Sequence, residues 1–378
     1  MKFNLKEIAG NARNQFKTTM LSVSGKVWRN PLTREETIAL LKHAIVYQHQ
    51  SPPVHIPELN DAVTGEMLQE EADFEFEPDT VWAIDRNTAV QTIKVSRSGV
   101  VLLNNRQLLN LDYGCSAGLL DSPIKTESVT YPLVVAPWSH FWGAYYDYIM
   151  YVVAKLCRIE QVYGPEIWQK AKVCYPLFQT AYEKEFLRKL NIPEETVLDT
   201  RTNWKQEIQA DRVIAGNNQV EYIPTAADIA LLRKRFLPDL EKPIKKRRLY
   251  IARAGRRKVT NEAELLPVLK AFGFEFIEDR ARSVDEQIKL FRGAEAIVSP
   301  HGAALTNLLW CDPGTKVLEL FNQGYRPNYY FYLCHVLHMP YNCLVDRTAN
   351  KENHWSNTAE DIYISPEELR IKLTQLLP

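Results

Sequence analysis

Four cations fall within six residues, at Arg253, Arg256, Arg257 and Lys258, and the run His301-Gly302-Ala303-Ala304 follows further along the chain. Guanidinium groups give paired hydrogen bonds to phosphate oxygens, so Arg253 and Arg257 are suited to a diphosphate. The backbone N–H groups of Gly302, Ala303 and Ala304, at the start of an expected helix, would favour the same anion through the helix dipole. Their small side chains leave room for close approach, and His301 beside them can donate to a phosphate oxygen. Glu319, at the end of an expected strand, is placed to accept hydrogen bonds from ribose hydroxyls. Each group also has an ordinary reading, as a capped turn, a solvated basic loop and a carboxylate paired with a lysine. What they share is one edge of one expected sheet.

That sheet is read from the pattern between residues 249 and 320. Short apolar runs at 249–251, 274–277, 296–299 and 316–320 alternate with three helical stretches. Asn261-x-x-Glu264 and Ser283-x-x-Glu286 have the spacing of capping boxes, and Gly273 ends the first of these helices. Strands separated by helices of this length make right-handed crossovers and a parallel, doubly wound sheet, whose ligands bind at the carboxyl ends of the strands. Arg253, Arg257, His301 and Glu319 all fall at such ends.

Upstream, β-forming runs at 80–84, 90–95 and 99–103, with Asn104-Asn105 as a turn, suggest an antiparallel meander. From Tyr131 onward strands alternate with helices: a strand at 131–136, a long apolar helix at 145–160, a strand at 171–176, a helix at 179–190 and a strand at 195–199. Three prolines and the run Lys245-Lys246-Arg247-Arg248 between 224 and 248 suit a crossing helix and a linker. The expected domains are 1–230, with the additional antiparallel strands, and 231–378, with the last helix free to pack back on the N-terminal one.

Length and composition fit this division. The chain has 378 residues, 46% hydrophobic and 24% charged, enough for two cores. Lys and Arg number 46, as do Asp and Glu, so no overall field attracts nucleic acid and an anion must be held locally. The six cysteines show no Cys-x-x-Cys pair, and Cys334-x-x-x-His338 with Cys311 and Cys343 matches no zinc spacing, so buried reduced thiols and no metal site are expected. The first twenty residues lack the apolar run of a signal peptide, and no stretch approaches the length of a membrane span. A cytoplasmic protein with at most peripheral contact at the inner face of a membrane is expected. There is no Gly-x-Gly-x-x-Gly, no P-loop and no Gly-x-Ser-x-Gly elbow.

Taken in order, Leu249-Tyr250-Ile251-Ala252-Arg253, Asn261-Glu262, Glu286-Gln287, Ser299-Pro300-His301-Gly302-Ala303-Ala304-Leu305-Thr306-Asn307-Leu308, Pro313-Gly314 and Val317-Leu318-Glu319-Leu320 resemble the signature series of glycosyltransferase family 61. Weaker similarity extends upstream through 185–193 and fades before Tyr131. The resemblance implies a GT-B fold, an α/β architecture of two Rossmann-like domains facing a cleft. It also implies inverting transfer of a sugar from a nucleotide-diphosphate donor to a glycan or glycolipid acceptor, with no cofactor, in the manner of bacterial capsule and lipopolysaccharide enzymes. Carried over, Arg253, Arg257, Asn261, His301, Gly302, Ala303, Ala304 and Glu319 would be donor-side residues. Ala252 stands where relatives commonly have serine. Gly143 and Ala144 stand where many relatives have a His-Trp pair before an acidic position, which here is Asp147.

Inverting transfer needs a base to deprotonate the acceptor hydroxyl, while cations and a helix start stabilise the departing diphosphate. Asp147 is the expected base and His140 the second candidate. The readings kept beside it are a nucleotide-sugar epimerase and a non-catalytic glycan-binding protein of the same fold.

Overall fold

The computed structural model describes residues 32–61, 65–107, 127–137, 143–202, 205–219, 223–237, 247–348, 353–354 and 357–377. His140, Cys115 and the basic segment 1–20 lie outside these described residues. The chain divides into two compact units. One comprises Met1–Ser51, Glu77–Gly143 and Asp147–Asp228, and the other Pro52–Phe76, Ala144–Tyr146 and Ile229–Pro378.

The first unit is built on a nine-stranded mixed sheet. Its longer strands are β1 (Ile45–His49), β2 (Asp79–Asp85), β3 (Ile93–Val95), β4 (Val101–Leu103), β5 (Glu127–Val135), β6 (Lys172–Tyr175), β7 (Val197–Asp199) and β8 (Gln206–Gly216). Strands β7, β6, β5 and β8 lie side by side and parallel, so the parallel strands run third, second, first, fourth in chain order. That is the order of the dinucleotide-binding doubly wound fold. The expected meander is only partly formed: β3 and β4 make it with Arg106–Gln107, turning at Asn104 and Asn105, both at positive φ. Strand β2 instead pairs antiparallel with β8, as does β3.

The helix after β5 runs from Tyr145 to Tyr163 and contains a π-helical stretch, Tyr148–Val153, in which every residue is buried. Wide turns of this kind recur at functional sites. Farther along the helix, buried Arg158 is bonded by both oxygens of Asp228 and by Asp79 at 3.0 Å, with Asn217 Oδ1 at 3.0 Å. A buried ion group paired this completely fixes the ends of β2 and β8.

The second unit carries a five-stranded, wholly parallel sheet of β9 (Arg247–Ile251), β10 (Phe274–Ile277), β11 (Ala294–Pro300), β12 (Lys316–Asn322) and β13 (Tyr341–Asp346). The order β10-β9-β11-β12-β13 places the reversal of winding between β9 and β11. Crevices for ligands open at such a reversal, outside the carboxyl ends of the two strands.

Segment 52–76, expected with the N-terminal domain, packs in the second unit. Leu68 and Leu59 join Phe321, Cys343 and Val345 in one apolar cluster, Phe74 meets Tyr332 edge-on at 4.9 Å, and Arg347 pairs with Glu66 at 2.7 Å. The last helix, Pro366–Leu376, packs within the second unit. Leu369 and Leu373 are buried with Tyr250, Leu265 and Leu320, and covering such side chains is worth roughly 1.5–3 kcal/mol each.

Candidate active site

Strand β9 ends at Ile251 and β11 at Pro300, in adjacent rows of the sheet, so Arg253 and His301 emerge side by side at the reversal point. Arg253 turns back across the sheet edge, donating from Nη1 to the His301 carbonyl at 3.1 Å and from Nε to the Arg256 carbonyl at 2.5 Å. A Cβ on Gly302 would lie 1.4 Å from Arg253 Nη1, so only glycine lets the guanidinium lie against this turn. The backbone at Gly302 is extended, with φ 169°, so contact rather than conformation selects the glycine. The turn then enters a 3₁₀ helix, Ala303–Trp310, tighter than the α-helix expected there. Asn307 locks this helix, donating to Gln287 Oε1 at 2.8 Å and accepting from Trp310 Nε1 and Tyr145 Oη at 3.0 Å each.

Arg257 is 7% exposed, adopts φ +62°, and its buried Nε has no hydrogen-bond partner. Its guanidinium stands 5.5 Å from the ring of Tyr325. Burial, together with Arg253 and Arg256, pulls it down to about 10, and burial and Arg256 also lower Arg253. Among the described residues neither Arg253 nor Arg257 forms an ion pair with a carboxylate. Two partly desolvated, mutually repelling guanidinium groups without a carboxylate in ion-pair contact are suited to an anion.

His301 is 5% exposed and set in an aromatic box. It stacks on Phe321 at 5.2 Å, meets Tyr325 edge-on at 5.4 Å and lies 5.4 Å from Tyr330. Its Nδ1 is 2.5 Å from Glu319 Oε1, while Tyr341 Oη donates to Glu319 Oε2 at 2.7 Å. Burial lowers the His301 pKa against the opposing pull of Glu319. Glu319 is fully buried, with one oxygen against His301 Nδ1 and the other accepting from Tyr341, so it orients the imidazole.

Asn261 precedes the helix Glu262–Ala271. Its amide clamps the backbone of Ile364, donating to the carbonyl at 2.8 Å and accepting from the N–H at 3.2 Å, and it reaches Glu264 at 3.3 Å. It makes no side-chain helix cap, whereas the Ser283 and Glu286 capping box does form. Asn261 thus ties the segment around Ile364 to the start of the helix Glu262–Ala271.

The structure brings together Arg253, Arg257, His301, Gly302 and Glu319, with Ala303 and Ala304 opening the 3₁₀ helix. Tyr325, Tyr330, Phe321 and Tyr341 complete the site and were not singled out from the sequence. Their signal was the aromatic density of 321–341. Asp147 belongs to the first unit, where it is half-buried at the start of the π-helical stretch. Cys311, Cys334 and Cys343 are buried, and no group of three or more His, Cys, Asp or Glu side chains suited to a metal occurs among the described residues. No helix among them is long and apolar enough to cross a membrane.

A doubly wound parallel sheet with Arg253, Arg257 and His301 gathered at its reversal point defines an α/β protein with a cationic sheet edge. The Glycosyltransferase 61 family model matches residues 126–318, which run from the parallel strands of the first unit into β12, and the chain belongs to that family. It is therefore a glycosyltransferase, a class that in general moves sugars from nucleotide donors to glycan acceptors. No curated protein matches the sequence significantly.

Proposed function

We propose that this is an inverting glycosyltransferase of the GT-B type whose donor is a nucleotide-diphosphate sugar held by the second unit. The observation that carries the reading is the pair Arg253 and Arg257, buried or half-buried and without a carboxylate partner beside the His301-Gly302 turn. A diphosphate would supply the missing counter-charge, with the guanidinium groups gripping its oxygens and the imidazole donating to one of them. As the glycosidic bond breaks, negative charge grows on the departing diphosphate, and cations already fixed in a desolvated site stabilise it without reorganising. In this reading Arg253, Arg257 and His301 do the work for which a divalent cation would otherwise serve.

Inversion requires one displacement on the face of the sugar opposite the leaving group, and a base for the acceptor proton. Asp147 is proposed for that step. The acceptor is taken to be a glycan or glycolipid of a surface polysaccharide, with synthesis on the cytoplasmic side, a reading that rests on the resemblance to capsule and lipopolysaccharide enzymes.

The test is product analysis by proton NMR after incubation with a panel of nucleotide sugars, with and without mixed oligosaccharide acceptors. The expected result is free nucleoside diphosphate formed only with acceptor and a product of inverted anomeric configuration. Conversion of the nucleotide sugar without acceptor, or retained configuration, would overturn the proposal.

A further inference from the structure

The loop after β9 carries Arg253, Arg256, Arg257 and Lys258, and two exposed carboxylates from elsewhere in the second unit, Asp279 and Asp361, set its path. Strands β9 and β10 are parallel neighbours with Ile251 opposite Ile277, so the loops that follow them leave the sheet together. The Ala252 N–H still donates to the Ile277 carbonyl at 2.9 Å, and two residues on the Ala254 N–H donates to Asp279 Oδ2 at 2.8 Å. At the far end of the loop the Lys258 N–H donates to Asp361 Oδ1 at 3.2 Å, next to the bridge between Val259 and Ile362.

Between these two anchors the backbone is strained. Arg257 stands at φ +62°, in the left-handed region that disfavours a residue with a side chain, and such strain persists only where the surroundings over-determine the backbone. Arg253 Nε, donating to the Arg256 carbonyl, closes the loop on itself, and the two carboxylates fix it from outside. Both bond to backbone N–H groups and, among the described residues, neither forms an ion pair with Arg253 or Arg257. The loop is thus held in shape while its guanidinium groups are left to a ligand. The anchors carry the wrong charge for an anion site, and Asp279 counters in Arg253 the lowering caused by burial and Arg256. Coulomb's law alone would therefore have an anion bind more tightly once either carboxylate is removed.

We infer that Asp279 and Asp361 are positioning residues for the diphosphate: by accepting the Ala254 and Lys258 N–H groups they hold the loop in the path that presents Arg253 and Arg257 to the anion. The inference rests on the proposed donor site. Order built into the free protein strengthens binding because the ligand no longer has to supply it.

The test is calorimetric titration of the whole protein in EDTA with inorganic pyrophosphate, comparing the wild type with Asp279→Ala/Asp361→Ala and Asp279→Asn/Asp361→Asn. Asparagine keeps an oxygen for the N–H and loses the charge, whereas alanine loses both. The alanine pair is expected to bind pyrophosphate at least fivefold more weakly than the wild type, against the electrostatic trend, and the asparagine pair at least as tightly as the wild type. Amide hydrogen exchange across 252–259 should quicken in the alanine pair and keep the wild-type rate in the asparagine pair. Both substituted side chains are exposed, so the variants should remain folded, and each single alanine variant should fall between the wild type and the pair. An alanine pair that binds as tightly as the wild type or tighter, or an asparagine pair as weak as the alanine pair, overturns the inference and leaves the donor site standing. Absence of pyrophosphate binding by the wild type overturns both.

Discussion

His301 Nδ1 lies 2.5 Å from Glu319 Oε1, and the second oxygen of that carboxylate is held at 2.7 Å by Tyr341. The arrangement fixes which ring nitrogen faces away from the sheet, as carboxylates do for histidines elsewhere. Glu319→Gln keeps the size of the group but removes its charge. Nucleotide-sugar affinity should fall by roughly three- to tenfold, about 1 kcal/mol. Tyr341→Phe should cost less. Calorimetric titration of the two variants checks the order.

The same pair sets a pH dependence. Burial keeps the folded His301 pKa below its ordinary value of about 6.5. In the free protein the neutral ring therefore contributes stability that is present above that ordinary value and is lost as pH falls toward the folded one. A bound diphosphate raises the ring's pKa, so binding takes up a proton and affinity rises as pH falls through the histidine range. A nucleotide sugar is the right probe, since its diphosphate does not itself titrate there. Titrations in buffers of unlike ionisation enthalpy read the proton uptake, and affinity that rises with pH would contradict the assignment.

Arg257 exchanges stability for binding. An unpartnered buried Nε costs about 1–3 kcal/mol, so Arg257→Met should raise the melting temperature of the free protein by a few degrees. The same substitution should weaken nucleotide-sugar binding at least tenfold. A variant that melts lower and binds normally would mark Arg257 as a structural residue.

Gly302→Ala should act through Arg253. The new methyl group occupies the position of Nη1, the end of a flexible side chain, so the guanidinium moves while the extended backbone stays. Affinity should drop about as much as in Arg253→Ala, with little change in melting. By contrast, Asn261→Ala should destabilise by about 2 kcal/mol through the loss of its bonds to Ile364 and leave nucleotide affinity unchanged. Denaturant unfolding and titration of both variants separate the two behaviours.

Asp147→Asn should abolish most turnover while leaving nucleotide-sugar binding within about twofold, since removing a general base typically costs 10²–10⁴ in rate. Full activity in this variant would remove Asp147 from the mechanism.

The second unit was the more legible in sequence because its strands are continuous apolar runs separated by helix caps. Ser283 and Glu286 cap as expected, and the residues after β9 and β11 meet as the topology requires. Strand β13 and the central strand β8 were not assigned. Residues 206–216, Gln-Glu-Ile-Gln-Ala-Asp-Arg-Val-Ile-Ala-Gly, carry polar groups through their first half, which hides a strand that pairs with β2, β3 and β5. Glu319 and Asn261 are expected on the donor side from sequence, which gives neither one's partner within the chain. Tyr341 and Ile364, which claim them, come from later in the chain. Segment 52–76 was misplaced for the same reason, since its apolar contacts, Phe321, Cys343 and Tyr332, lie far downstream.

The central claim is that Arg253, Arg257 and His301 bind the diphosphate of the donor. Its most direct test is isothermal titration of the protein in EDTA with nucleoside diphosphates and nucleotide sugars, repeated with Arg253→Ala and with Arg253→Ala/His301→Ala. One nucleotide class should bind the wild type without added metal, and the double variant should bind it at least roughly 30-fold more weakly, about 2 kcal/mol, while remaining folded by melting. Absence of binding across the panel, or undiminished affinity in the double variant, would contradict the account.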